Sequence, residues 1–170
     1  MKIIFYGRER VGLVVFLYLI AKFEGHSLKM VIDKSNSCNI NNIADYLNIP
    51  KIEFEFLKDQ DFDVLVSCHG RKIISNDVLM KGVCVNIHPC LFKYKGANPI
   101  ERYIDNKDTI ASVGCHIMTQ EVDCGRVIKE VFFTTPIINN CLEFYNIALP
   151  YYITCVHKAL IEIERGNINE

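Results

Sequence analysis

Asn86 and His88 stand two positions apart at the end of the apolar run "GVCVNIH", and Pro89 follows them. In an extended strand, side chains alternate, so this pair points to one side of the sheet while Ile87 points to the other. Pro89 has no backbone N–H and stops the ladder, which leaves His88 at the strand tip. An amide beside an imidazole can aim two hydrogen bonds at one atom. That suits a reaction in which negative charge builds on a carbonyl oxygen, where loss of one such donor costs about 2.7 to 4 kcal/mol of transition-state stabilisation. His88 donates best when protonated, a form that a nearby carboxylate favours. Asp123, in the tight turn "QEVDCG", is the candidate for that carboxylate.

These residues need a scaffold, and the chain reads as alternating strands and helices. "KIIFYG" is a short apolar run closed by Gly7, and "VGLVVFLYLIAKF" has helical length, so the opening is strand, turn, helix. "LKMVID" restarts a strand, a polar turn runs from Ser35 to Asn39, and "INNIADYLNI" is a short helix ended by Pro50. "KIEFEF" alternates as a less buried strand does, whereas "FDVLVSC" and "GVCVNIH" are β-branched runs suited to central strands covered on both faces. "ISNDVLM" has room only for a short helix. "NPIERYIDN" is a helix with Asn98 as its cap and Pro99 at its first position. "SVGCHIMT" and "RVIKEVFFTT" form a strand pair, most simply a hairpin around "QEVDCG". Residues 139–166 are helical by period, and Pro150 is expected to bend them or divide them into two helices. The expectation is one α/β domain over residues 1–170. It is a Rossmann-like, doubly wound, mostly parallel sheet with helices on both faces and an antiparallel C-terminal strand. In such sheets ligands bind outside the carboxyl ends of the strands.

Composition narrows the functional classes. With 170 residues, half of them hydrophobic, the chain can bury roughly 70% of its unfolded surface in one core. A formal charge of -1 offers no overall attraction to a polyanion, so nucleic acid is not the expected partner. The run "VGLVVFLYLIA" is too short to span a bilayer, and "KFEGHS" follows it where a cleavage site would be, so a cytoplasmic protein with no membrane partner is expected. Eight cysteines in a chain this rich in aliphatics suggest buried free thiols rather than disulfides. No Cys-x-x-Cys pair occurs, and Cys115 beside His116 lacks zinc-ligand spacing, so no metal is expected. His116 reads as a strand residue facing its neighbours, and His26 and His157 have no context. In "GRERVG", glycines surround a strand-to-helix turn without the Lys-Ser/Thr of a phosphate loop. Arg8 there could reach a substrate phosphate. Lys93 and Lys95, flanking Tyr94 before Gly96, could contact an anionic acceptor or solvate a loop.

Two segments together carry a resemblance. "NIHPCLFKYKGANPI", followed after one helix by "SVGCHIMTQEVDCGRVI", resembles the core of the folate-dependent formyltransferases, and the likeness extends upstream through "DVLVSCHGRKIISNDVL". The resemblance implies a formyltransferase fold, 10-formyltetrahydrofolate as co-substrate and a primary amine as acceptor. Asn86 and His88 would stabilise the oxyanion, while Asp123 would keep His88 protonated and relay the amine's proton through water. A pteridine slot would fall on Lys72, Ile73, Ile74 and Leu79, and on Met118, Thr119 and Gln120, with His69 near its entrance. Among acceptors, an amino sugar on a nucleotide carrier is expected ahead of glycinamide ribonucleotide and methionyl-tRNA. The glycinamide ribonucleotide enzymes usually have a Gly-Ser-Asn phosphate loop where this chain has "GRERVG", and the tRNA enzymes carry a further C-terminal domain. A non-catalytic folate or nucleotide binder is the reading from another class. Tyr145, Tyr151, Tyr152 and Ile153 in the apolar last helix make a homodimer conceivable.

Overall fold

A computed structural model describes residues 1–23, 27–32 and 38–168; His26 and residues 35–37 of the expected polar turn lie outside them. In hydrogen-bonding order, seven strands run β3-β2-β1-β4-β5-β6-β7. They are β1 (Ile3–Gly7), β2 (Leu28–Ile32), β3 (Lys51–Glu53), β4 (Val64–Cys68), β5 (Val83–Pro89), β6 (Ile110–Ile117) and β7 (Val127–Thr134). The helices are α1 (Glu9–Lys22), α2 (Cys38–Tyr46), α3 (Asn76–Leu79), α4 (Pro99–Asp105) and α5 (Cys141–Glu164). The expected mostly parallel sheet with an antiparallel C-terminal pair is present. Internal contacts group the chain into two units, Met1–Val85 and Asn86–Glu170.

In the first unit, β1 pairs in parallel with β2 and β4, and β2 with β3. Every residue of β1 and β4 is buried, as their unbroken apolar runs require. α1 lays Val11, Val15, Phe16 and Leu19 inward, and Phe16 stacks on Phe5 with ring centroids 5.1 Å apart. Each such side chain contributes about 1.5 to 3 kcal/mol by leaving water. The expected strand "KIEFEF" is only half a strand. After Glu53 the backbone tightens into a 3-10 helix, Phe54–Asp59. At that pitch Phe54 and Leu57, three residues apart, share a side; Leu57 is buried, and Phe54 meets the ring of Tyr6 at 5.3 Å.

In the second unit, β6 and β7 pair antiparallel from Ile110↔Thr134 to His116↔Val127, with a register shift between Cys115 and His116. α5 packs on both strands and buries Phe144, Ala148, Tyr152, Cys155, Val156, Ala159, Leu160 and Ile163. Asn140 caps it by accepting from Glu143 N at 3.0 Å, and Glu143 reaches back to Asn139 N at 3.0 Å. Pro150 does not divide this helix, which runs unbroken through it. Pro150 and Asn146, whose carbonyl loses its helical donor, are both exposed, while the opposite face holds the core contacts. Asn98 does precede Pro99 at the start of α4, but its backbone is left-handed, at φ 53°, and its side chain makes no capping bond. Cys84, Cys90 and Cys155 are buried thiols that burial pushes up to about 12, 11 and 12. No helix among the described residues is long and apolar enough to cross a membrane.

The turn joining β6 to β7 depends on a close approach at Gly125, where an added Cβ would lie 1.8 Å from the carbonyl oxygen of Ile117. Gly125→Ala is therefore expected to lower stability by about 1 to 3 kcal/mol, read as a fall of several degrees in the thermal unfolding midpoint.

Candidate active site

The carboxyl end of β5 delivers Asn86 and His88 to one place, the end of β6 delivers His116, and the following turn delivers Asp123. His88 Nε2 lies 3.0 Å from Asp123 Oδ2, and His116 Nε2 lies 3.2 Å from Asp123 Oδ1. Asn86 Nδ2 donates to Asp123 Oδ1 at 3.3 Å, and the backbone N–H of Gly96 donates to Oδ2 at 2.8 Å. The carbonyl of Gly96 is also 3.2 Å from His88 Nε2. The period-two reading holds: Asn86 and His88 both reach the same carboxylate.

Local backbone explains how these groups arrive. Cys90 and Asp123 are left-handed, at φ 52° and 54°, and Gly96 is at φ 79°. Such conformations are costly for residues with a Cβ and persist where the surroundings over-determine them. Cys90 turns the chain directly after Pro89, anchored by its N–H on Ser112 O at 2.8 Å. The register shift between Cys115 and His116 re-aims the end of β6, as bulges do.

Asp123 is 7% exposed, so its charge needs partners. Burial alone would push its carboxyl up, but hydrogen bonds from His116 and His88, the charge of His88 and the Gly96 N–H outweigh it and hold the group well below the usual carboxylate range. A carboxylate offers about four lone-pair sites, and the four donors above occupy them. His88 Nδ1 is buried and has no hydrogen-bond partner among the described residues. The site thus holds a fixed anion and an imidazole with one nitrogen beside that anion and the other buried without a partner among the described residues.

His116, read from sequence as an ordinary strand residue, belongs to the cluster. Its Nδ1 lies 2.9 Å from Ile117 O, and its Nε2 lies between Asp123 Oδ1 at 3.2 Å and Asn86 Nδ2 at 3.5 Å. The strand-tip logic that singled out His88 applies to His116, the penultimate residue of β6, and could have found it.

The remaining predicted residues fall in two groups. In the first unit, the N–H of Lys72 donates to the hydroxyl of Tyr6 at 3.2 Å, and its ammonium pairs with Glu55 at 2.9 Å over the ring of Phe54. Ile73 is 71% exposed, Ile74 is buried and Leu79 ends α3. Arg8 pairs with Glu9 at 2.6 Å, and Glu9 also meets His69 at 3.5 Å. In the second unit, Met118, Thr119 and Gln120 lead from β6 into the turn that carries Asp123. Tyr94 is buried and Lys93 pairs with Asp108, while Lys95 is exposed and its carbonyl accepts from Arg102 at 2.6 Å.

Residues 52–139 match the sequence profile of the Formyl transferase family. Over 100 residues the chain is 33% identical to methionyl-tRNA formyltransferase of Helicobacter pylori strain HPAG1, a stretch that makes up 54% of this chain and 33% of that protein. It therefore spans about a third of that curated relative. Among solved structures, WlaRD, described as a sugar 3N-formyl transferase in the presence of dTDP and 5-N-formyl-THF, matches with a TM-score of 0.80 at 20% identity. That match covers 98% of this chain and 64% of WlaRD. Glycinamide ribonucleotide transformylase 1 of Geobacillus kaustophilus matches with a TM-score of 0.77 at 17% identity, covering 94% of this chain and 97% of that one. At these identities the solved structures speak for the fold.

A carboxylate held below its unfolded-state value stabilises the native protein fully above about pH 4, and that contribution is lost as the pH falls through the lower native value. Asp123→Asn is expected to unfold at lower urea than the wild type at pH 7, with the gap narrowing steadily below about pH 4. A gap independent of pH would contradict an ionised Asp123.

Proposed function

The chain belongs to the formyl transferase family, and on that premise we propose that it transfers a formyl group from 10-formyltetrahydrofolate to a primary amine. The cluster around Asp123 carries this reading: His88 is tied through Nε2 to a buried anion, its Nδ1 is buried without a partner among the described residues, and the Asn86 amide reaches the same carboxylate. In the reaction, the amine nitrogen attacks the formyl carbon and the carbonyl oxygen becomes an oxyanion. Nδ1–H of His88 and the amide of Asn86 stabilise that oxygen. The carbon–N10 bond then breaks as His88 passes its Nδ1 proton to N10, and the proton released by the attacking amine restores His88. Atoms and charge balance without a proton resting on Asp123. The groups around Asp123 support it as the counter-charge that orients His88, alongside the proton relay through water that the resemblance implies.

For the donor, the resemblance assigns Lys72, Ile73, Ile74 and Leu79, and Met118, Thr119 and Gln120. Lys72 also lines a cavity of about 370 Å³ with Phe54, Glu55, Leu57, Lys58, Ser75 and Val78. An apolar wall with an aromatic ring suits the p-aminobenzoyl part of a folate, and Lys58 offers its glutamate an ammonium, that of Lys72 being paired with Glu55. For the acceptor we favour the amino group of a nucleotide-linked sugar. The likeness to WlaRD supports this choice, as does a formal charge of -1, which suits a small nucleotide better than a tRNA. Methionyl-tRNA is the second reading, favoured by the 33% identity to the Helicobacter pylori enzyme.

Incubation with 10-formyltetrahydrofolate and a panel of dTDP- and UDP-linked amino sugars, glycinamide ribonucleotide and methionyl-tRNA, followed by mass spectrometry, is expected to yield an N-formyl sugar. Formylation of methionyl-tRNA alone, or of glycinamide ribonucleotide alone, reverses the choice of acceptor, and no product from any acceptor sinks the transfer reading. His88→Ala and Asp123→Ala are each expected to lower turnover by at least about 100-fold, with circular dichroism reporting an intact fold.

A further inference from the structure

Between Cys90 and Asn98 the chain runs from the tip of β5 to α4 without strand or helix, and Cys90, Gly96 and Asn98 are all left-handed. One residue of this loop touches two members of the cluster. The N–H of Gly96 lies on Asp123, and its carbonyl lies beside His88 Nε2. Gly96 has no side chain with which to hold itself there. Its place is decided by how the loop before it is anchored.

Those anchors are visible. Phe92 N donates to Glu130 Oε1 at 2.9 Å, and Glu130 also accepts from Ser112 Oγ at 2.6 Å. The carbonyl of Lys95 accepts from Arg102. Between these points Tyr94 turns inward and is buried, with its ring edge-on to Tyr103 at 6.5 Å and Arg102 over its face at 5.4 Å. Its hydroxyl donates to Asp108 Oδ2 and accepts from Asn106 Nδ2 at 2.7 Å. The same carboxylate takes the ammonium of Lys93 at 2.7 and 2.9 Å. Asp108 thus grips two consecutive loop residues, one through a charged hydrogen bond from a buried phenol. The Lys93 pair is half-exposed and screened by solvent, so the Tyr94 bond is the stronger hold.

We propose that Asp108 is a positioning residue for formyl transfer, acting through the hydroxyl of Tyr94 to keep both backbone groups of Gly96 on Asp123 and His88. Tyr94 precedes Gly96 by two residues, so slack at the phenol passes into the Gly96 peptide. A displacement of about 1 Å far from the reacting atoms can lower the rate by roughly 100-fold. This proposal rests on the formyl-transfer reading above.

The test uses the full chain, 10-formyltetrahydrofolate and the acceptor that the wild type formylates. Asp108→Ala is expected to lower kcat by about 10-fold or more with KM for both substrates within about two-fold. Asp108→Asn keeps an acceptor for the Tyr94 hydroxyl and recovers most of the loss. Tyr94→Phe matches Asp108→Ala, and the double variant is no slower than either. Amide hydrogen exchange at Gly96, followed by NMR, accelerates in Asp108→Ala and Tyr94→Phe. Asp105→Ala, which removes an exposed carboxylate from the same helix end, changes neither readout. Should Asp108→Ala not fold, Asp108→Asn against Tyr94→Phe makes the same comparison. Turnover of Asp108→Ala within two-fold of wild type overturns the proposal. So does a loss confined to acceptor KM with Gly96 exchange unchanged, which would make this corner a substrate contact. A wild type that transfers no formyl group fails the underlying reading instead, while Gly96 exchange still reports whether Asp108 holds the loop.

Discussion

A single buried carboxylate organises the second unit's chemistry. Taking Asp123 out of water is expensive, and the structure meets that cost with donors from three separate stretches of chain: Asn86 and His88 from β5, Gly96 from the loop after it, and His116 from β6. None of these donors is a sequence neighbour of the acceptor. The anion can therefore be buried only when the folded chain has brought all of them together, and each donor is in turn oriented by the anion. This mutual dependence supplies a preorganised polar site, whose dipoles are fixed by the fold. It also explains why an aspartate occupies the position although its backbone is left-handed, at φ 54°, where glycine would be easier.

The same constraint reaches into the scaffold. A turn that places Asp123 under two strand tips must pass close to Ile117, and Gly125 is the residue that lets it. A loop that offers Gly96 to the carboxylate must reverse immediately after Pro89 and again before Pro99, so the left-handed residues Cys90 and Asn98 bracket it. The segment from Cys90 to Lys95 is held by Ser112, Glu130, Asp108 and Arg102. Polar groups that look like surface decoration on the chain are in this sense parts of the site's support.

The first unit shows the complementary economy. β1 and β4 are buried along their whole length, and α1 covers them with an apolar stripe, so little polar structure is needed to define them. The polar groups that do appear gather at the strand ends, where Arg8, Glu9 and His69 form linked pairs, and beside the 3-10 helix, where Lys72 spans Glu55 and Phe54. Both are places where a parallel sheet leaves backbone and side chains accessible to a ligand.

Much of this molecule is legible without coordinates because its causes are local. Strand runs, the turn at Gly7, the hairpin around "QEVDCG" and the common facing of Asn86 and His88 follow from side-chain period and from what Pro and Gly permit within a few residues. Other features depend on contacts between distant segments. The second half of "KIEFEF" enters a 3-10 helix, in which Leu57 is buried and Phe54 meets Tyr6, and Pro150 stays inside one helix because only its exposed face loses a hydrogen bond. His116 joins the carboxylate and Tyr94 joins Asp108 by the same kind of long-range packing. Local stereochemistry can say which way a side chain points, but only the assembled fold decides what stands opposite it.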